Sequence, residues 1–298
     1  NNHAYYVPYK KQKEEGIESL TNLLNDDNLI ENDDFIVEDH PQFNKLIDEI
    51  ENSKVQYLFT MGKGGVGKTT VATQLATALS NKGYRVLLAT TDPTKEINVE
   101  TTSNLNTAYI DEEQALEKYK KEVLATVSDD TPQDDINYIM EDLKSPCTEE
   151  IAFFKAFSDI MENQDDMDYV IVDTAPTGHT LLLLDSSENH HRELKKKSTQ
   201  TTSNVETLLP KIQNKNLTQM IIVTLAEKTP YLESKRLVED LNRANIGHNW
   251  WVVNQSLVTL NQRDDLFSNK KEDESFWINK IKNESFDNYF VIPYGGLS

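Results

Sequence analysis

One segment leaves this chain little freedom of fold. Residues 58–70 read LFTMGKGGVGKTT, an apolar strand end running into a glycine-rich loop, and a helical pattern, VATQLATALSNKG, follows at once. Gly62, Gly64, Gly65 and Gly67 let backbone N–H groups, including that of Val66, turn toward an anion, while Lys68 can reach the β and γ phosphates of a nucleotide. Thr69 offers a hydroxyl to Mg²⁺, with Thr70 beside it. A helix opening at about Thr69 adds its unpaired N–H groups and the positive end of its dipole. A glycine-rich hairpin with a stray lysine would lack both the preceding strand and the following helix. The segment therefore predicts a phosphate loop that binds ATP with Mg²⁺.

Short apolar or β-branched runs recur as YLFT (57–60), YRVLLAT (84–90), YVIVDT (169–174), MIIVTLA (220–226), WWVVN (250–254) and YFVIPY (289–294), with helical patterns between them. Strands that are apolar on both faces and alternate with helices describe a parallel sheet covered on both sides. The expected fold class is α/β: a doubly wound, mostly parallel sheet of the P-loop NTPase kind. Ligands of such sheets bind at the carboxyl ends of the strands, where the phosphate loop, Asp92 and Asp173 all fall.

Over about 104–163 the strand signal vanishes and apolar residues take helical spacing, which predicts a helical insertion. Ile151, Phe154, Phe157 and Ile160 form a stripe that serves either as core or as a partner-binding groove. Residues 22–39 are rich in Asp and Asn and read as linker, but Phe43, Leu46, Ile47 and Ile50 follow i, i+3, i+4, i+7 spacing, so a short helix there should pack on the main domain. The expected division is 1–21 as the remnant of a preceding unit, 22–54 as linker with a short helix, and 55–298 as the ATPase domain. AYYVPYK at 4–10 echoes YFVIPYG at 289–295, and the first residue is Asn1, not methionine; both suggest a piece of a longer chain.

A formal charge of −20 over 298 residues opposes contact with a phosphate backbone, so nucleic acid is not an expected partner. No apolar run approaches the roughly 20 residues of a membrane span, and the expected location is cytoplasmic. The single cysteine, Cys147, excludes an internal disulfide and a four-thiolate zinc site within one chain, though not a site shared between chains.

Asp173 ends an apolar strand and opens DTAPTGHT, where a P-loop ATPase needs a carboxylate to hold Mg²⁺ directly or through water. Asp92, in TTDPTK, is the other carboxylate at the sheet edge; it either orients the attacking water or serves as a turn residue before Pro93. Lys63 is the unusual element, since an ordinary phosphate loop has no lysine right after its first glycine.

GKGGVGKTT, the Asp-Pro after the second strand, SPCTEEIA (145–152) and DTAPTGHTLLLLD (173–185) together resemble the arsenical pump-driving ATPases, and in particular the second of that family's tandem ATPase halves. The resemblance spans most of 55–298 and implies an ATP hydrolase of the deviant Walker A (KGGxGKT) class. It implies that Lys63 reaches the nucleotide of a second ATPase half or another copy, as an arginine finger does. It further implies that Cys147, His179 and Ser145 contribute to an As(III) or Sb(III) site. Trivalent metalloids are soft, so one thiolate needs further thiols from elsewhere. Asn254 and Pro293 would flank the adenine. The implied partners are a membrane metalloid efflux permease and a metallochaperone. Two other classes share the phosphate loop: tail-anchored-protein targeting ATPases and partition or division-site positioning ATPases. The acidic charge argues against the latter.

Overall fold

Six apolar runs become six strands, and a seventh joins them at an edge. The computed structural model describes residues 39–90, 103–125, 127–128, 131–162, 166–173, 210–260 and 265–295. In chain order the elements are α1 (Phe43–Ser53), β1 (Tyr57–Met61), α2 (Lys68–Asn81), β2 (Val86–Thr90), β3 (Leu105–Tyr109), α3 (Glu112–Ala125), α4 (Gln133–Asp142), α5 (Pro146–Glu162), β4 (Tyr169–Asp173), β5 (Thr218–Thr224), α6 (Lys228–Arg243), β6 (Trp250–Ser256), α7 (Asp265–Glu284) and β7 (Tyr289–Pro293). The strands form one sheet in the order β3-β2-β4-β1-β5-β6-β7, and every pairing is parallel. All carboxyl ends therefore share one edge, as a P-loop α/β fold requires.

The double-sided apolar pattern has its reason in two cores, one on each face. Tyr57, Phe59, Val170, Val172, Met220 and Ile222 point to one face, where they meet Phe157 of α5, Leu241 of α6 and Ile278 of α7. Leu58, Ile171, Ile221 and Val223 point to the other and meet α1 and α2 through Phe43, Leu46, Ile50, Val71, Leu75 and Leu79. Successive strand residues face opposite sides, so a sheet covered on both needs apolar side chains at nearly every position.

The helix α1 lies where its spacing predicts, with Phe43, Leu46, Ile47 and Ile50 buried. Trp250 of β6 donates its indole N–H to Glu49 at 3.1 Å, and Lys82 at the end of α2 pairs with Asp48 and Glu51. Residues 1–38, including the echoed AYYVPYK segment, lie outside the described residues.

One expectation needs correcting. The helical stretch does not begin at 104, because 105–109 is β3, paired in parallel with β2 from Val86↔Leu105 to Thr90↔Tyr109. Only Leu105 of that strand is buried. An edge strand needs neither apolar face filled, so LNTAY lacks the signal that marks its six neighbours. The helices α3, α4 and α5 then occupy 112–162.

Candidate functional site

The site assembles at the carboxyl edge around β1, β4 and β2. Past Met61 the chain turns through 62–67 into α2, whose N-cap is Gly67 at φ 90°. Among the described residues no side chain caps this helix, and its first turn carries no acidic residue; N–H groups and a dipole of this kind suit an anion. Two glycines are demanded by close approach. A Cβ on Gly62 would stand 2.1 Å from the Val223 carbonyl oxygen of β5, and one on Gly67 would stand 2.2 Å from Asn254 Nδ2. Gly67 also holds a positive φ that side chains disfavour.

Within the loop Val66 is buried while Lys63, Gly64 and Gly65 are exposed; Lys68 and Thr69 are half-buried and Thr70 is exposed. Lys68 Nζ donates to the Lys63 carbonyl at 3.4 Å, holding the lysine over the loop.

Asp173 is buried at the end of β4, with β1 on one side and β2 on the other. Register places Thr60 and Thr90 directly opposite it. Thr60 Oγ1 donates to one carboxylate oxygen and Thr90 Oγ1 to the other, each at 3.4 Å. Two hydroxyl donors thus hold the carboxylate in one orientation. The oxygen donors in this neighbourhood, the Asp173 carboxylate and the Thr69 hydroxyl, are hard ligands of the sort Mg²⁺ takes, and nothing in the set favours a soft metal. Thr60 and Thr90 were not legible as site residues, since their role comes from strand register, although both runs visibly end in threonine.

The neighbouring part of the same edge is built from β6 and β7. Asn254 is buried, and its Nδ2 donates to the Val66 carbonyl at 2.9 Å, tying β6 to the phosphate loop. Pro293 pairs with Ser256, and Tyr294 N donates to the Ser256 carbonyl at 2.9 Å, so the ends of β6 and β7 are joined beside the loop. Glu274 of α7 is buried and accepts from Ser256 Oγ and from Leu257 N, each at 2.7 Å. Burial pushes its carboxyl up, against the downward pull of those hydrogen bonds.

The residues proposed for a metalloid fall elsewhere. Ser145 immediately precedes α5 and Cys147 is the second residue of that helix; Ser145 Oγ lies 3.4 Å from Thr148 Oγ1, which itself donates to the Asp142 carbonyl at 2.7 Å. Asp92 and His179 lie outside the described residues. The structure therefore gathers Gly62–Thr70, Asp173, Asn254 and Pro293 at one edge and puts Ser145 and Cys147 at the start of α5. Among the described residues no cluster of three His, Cys, Asp or Glu side chains suits a metal ion, and no helix is long and apolar enough to cross a membrane.

Comparison with known proteins shows a family. The anion-transporting ATPase family matches residues 55–208 and 188–295. The chain belongs to that family. It is similar to an arsenical pump-driving ATPase of Acidiphilium multivorum, 38% identical over 252 residues, which cover 83% of this chain and 43% of the relative. It is also similar to one of Escherichia coli, 35% identical over 286 residues, covering 93% and 48% respectively. An ATPase ASNA1 homolog of Plasmodium falciparum is 29% identical over 312 residues, covering 88% of this chain and 77% of that protein. The chain thus spans less than half the length of the first two relatives.

Proposed function

We propose that this chain is an ATPase module that hydrolyses ATP in response to arsenite or antimonite and drives metalloid efflux through a membrane permease, working against a second ATPase half or another copy. The observation that carries the hydrolytic part is the juxtaposition of the uncapped α2 N-terminus, Lys68 and the threonine-held Asp173 at one sheet edge. In this reading the loop amides and Lys68 bind the β and γ phosphates and neutralise charge that develops on the transferred phosphoryl group. Thr69 and Asp173 would hold Mg²⁺, which would supply positive charge against the phosphates. Asp92 orients the attacking water, and hydrolysis yields ADP and phosphate. Lys63, which is exposed on the loop, would reach a partner's nucleotide rather than its own.

Support for the metalloid comes from the names of the relatives and from Cys147 opening α5, with Ser145 beside it. His179 would be a further ligand. Softness demands more than one thiolate, so the site would complete itself between two units and draw them together. The test is the ATPase rate of the full-length protein with and without antimonite. Stimulation that is lost on Cys147→Ala is expected; a rate indifferent to antimonite would overturn the metalloid role and leave the hydrolase.

A second reading, a targeting ATPase with an apolar client, rests on a separate observation. The helix α4 buries none of its residues; Ile136, Ile139 and Met140 share one of its faces, the isoleucines half-buried and Met140 41% exposed. Apolar surface of that kind suits a client helix. Co-purification of apolar helical segments in the presence of nucleotide would favour it over efflux.

A further inference from the structure

We propose that Glu274, a residue of α7 outside the phosphate loop, is a positioning residue for nucleotide binding that acts through the bulge ending β6 and through Asn254. This inference rests on nucleotide binding alone and is independent of the metalloid.

The pairing of β6 with β7 shifts register between Val253 and Ser256, and Gln255 within the shift holds φ 55°. A non-glycine residue in that conformation persists only where its surroundings over-determine it, and bulges near sites commonly re-aim a side chain. Here the surroundings are specific. Asn254 Oδ1 accepts from Gln255 N at 3.0 Å, Tyr294 N holds the Ser256 carbonyl, and Glu274 holds both Ser256 Oγ and Leu257 N at 2.7 Å. Val258 N also donates to Ser256 Oγ, at 3.3 Å. Glu274 is 4% exposed, and a buried carboxylate is costly unless its bonds are well made. A carboxylate is therefore spent on fixing three consecutive residues, 256–258, directly after Asn254.

What the bulge aims is the Asn254 amide, which donates to the Val66 carbonyl. The peptide group is planar and trans, so its C=O and N–H point in opposite directions. Anchoring Val66 O toward Asn254 therefore turns Gly67 N–H to the opposite side of the loop, as an anion-binding row of amides requires. Gly67 has room for this only without a Cβ, since the Asn254 amide would lie 2.2 Å from it. The line of control runs from Glu274 to Ser256 and Leu257, then to Asn254, then to the loop amides.

The experiment is a double-mutant cycle on the full chain, read as the calorimetric Kd for MgADP and as kcat and KM for ATP. Both bonds fall on one oxygen of Glu274, so Glu274→Gln keeps the shape and that acceptor but exchanges charge-assisted bonds for neutral ones, and should weaken MgADP by about 3- to 10-fold, with KM moving more than kcat. Asn254→Ala should weaken it at least as much. If Glu274 acts through Asn254, the double variant binds no more weakly than Asn254→Ala alone. Losses that multiply, or an unchanged Kd in Glu274→Gln, overturn the proposal. Should Glu274→Gln not fold, Ser256→Ala removes one donor of the same contact and runs the same cycle under the same criteria. Failure of wild type to bind MgADP would instead sink the ATPase reading itself.

Discussion

The nucleotide end of the sheet and the helical stretch at 112–162 are built by different forces. Every residue of β1, β4 and β5 is buried, and the loop that follows β1 is gripped by Val223 below and Asn254 beside it. In contrast, α3 buries only Ala115 and α4 buries nothing. The helices α3 and α5 are joined by the ion pairs Lys118–Asp159, at 2.8 Å, and Lys155–Glu122, and α5 is anchored to the sheet by Phe157, whose ring stands edge-on to Phe59 with centroids 5.0 Å apart. Burial specifies a single arrangement, while exposed ion pairs contribute little and tolerate rearrangement. The phosphate end is thus fixed, as is α5 where Phe157 enters the core, and α3 and α4 are the pieces whose packing can change at small cost.

The sharpest way to break this contrast is to compare its two kinds of contact directly. Phe157→Ala should cost about 3–5 kcal/mol in denaturant unfolding, whereas Lys118→Ala should cost less than about 1 kcal/mol. Equal losses would mean that ion pairs hold the helices as firmly as the core holds the sheet. Next, Lys68→Ala should lower kcat for ATP by about 10²- to 10³-fold while leaving the unfolding midpoint nearly unchanged, because on the proposed reading this half-buried side chain serves the ligand and not the core. A large fall in stability would blur site and framework.

The smallest effect concerns alkaline pH. Burial pushes the Tyr169 phenol, at the start of β4, up to about 12. The native state keeps this proton where the unfolded chain, with a phenol near about 10, has released it. Stability contributed by this group is therefore present below pH 10 and falls between about 10 and about 12 as the native phenol ionises. Tyr169→Phe should flatten that limb in a pH series of unfolding measurements, and an unaltered slope would place the phenol in water.

The sequence made the phosphate loop and six strands legible because each carries its own local signal: glycine spacing in one case and unbroken apolar runs in the other. The register of Phe43, Leu46, Ile47 and Ile50 also announced α1. The missed parts have no such signal. LNTAY is an edge strand with a single buried residue, and without apolar faces it looks like loop. Thr60 and Thr90 become partners of Asp173 only when β1 and β2 flank β4. Asn254 and Val66 are 188 positions apart, and nothing in VVNQS says that its amide turns toward the loop rather than outward. Local chemistry is written in neighbouring letters, whereas support for it comes from residues that only the fold makes neighbours.

The first and last described elements meet. Val291 of β7 donates its amide to the Pro41 carbonyl at 2.8 Å, Gln42 bridges to Val291, and His40 Nδ1 lies 3.0 Å from the Tyr289 hydroxyl. During synthesis, the segment leading into α1 emerges from the ribosome before β7 and must wait for that strand before its docking is complete. Long-range parallel pairing of this kind folds slowly, and half-made sheets expose sticky edges. A nascent chain of this protein should therefore depend on shielding by chaperones until nearly all of 39–295 has been translated.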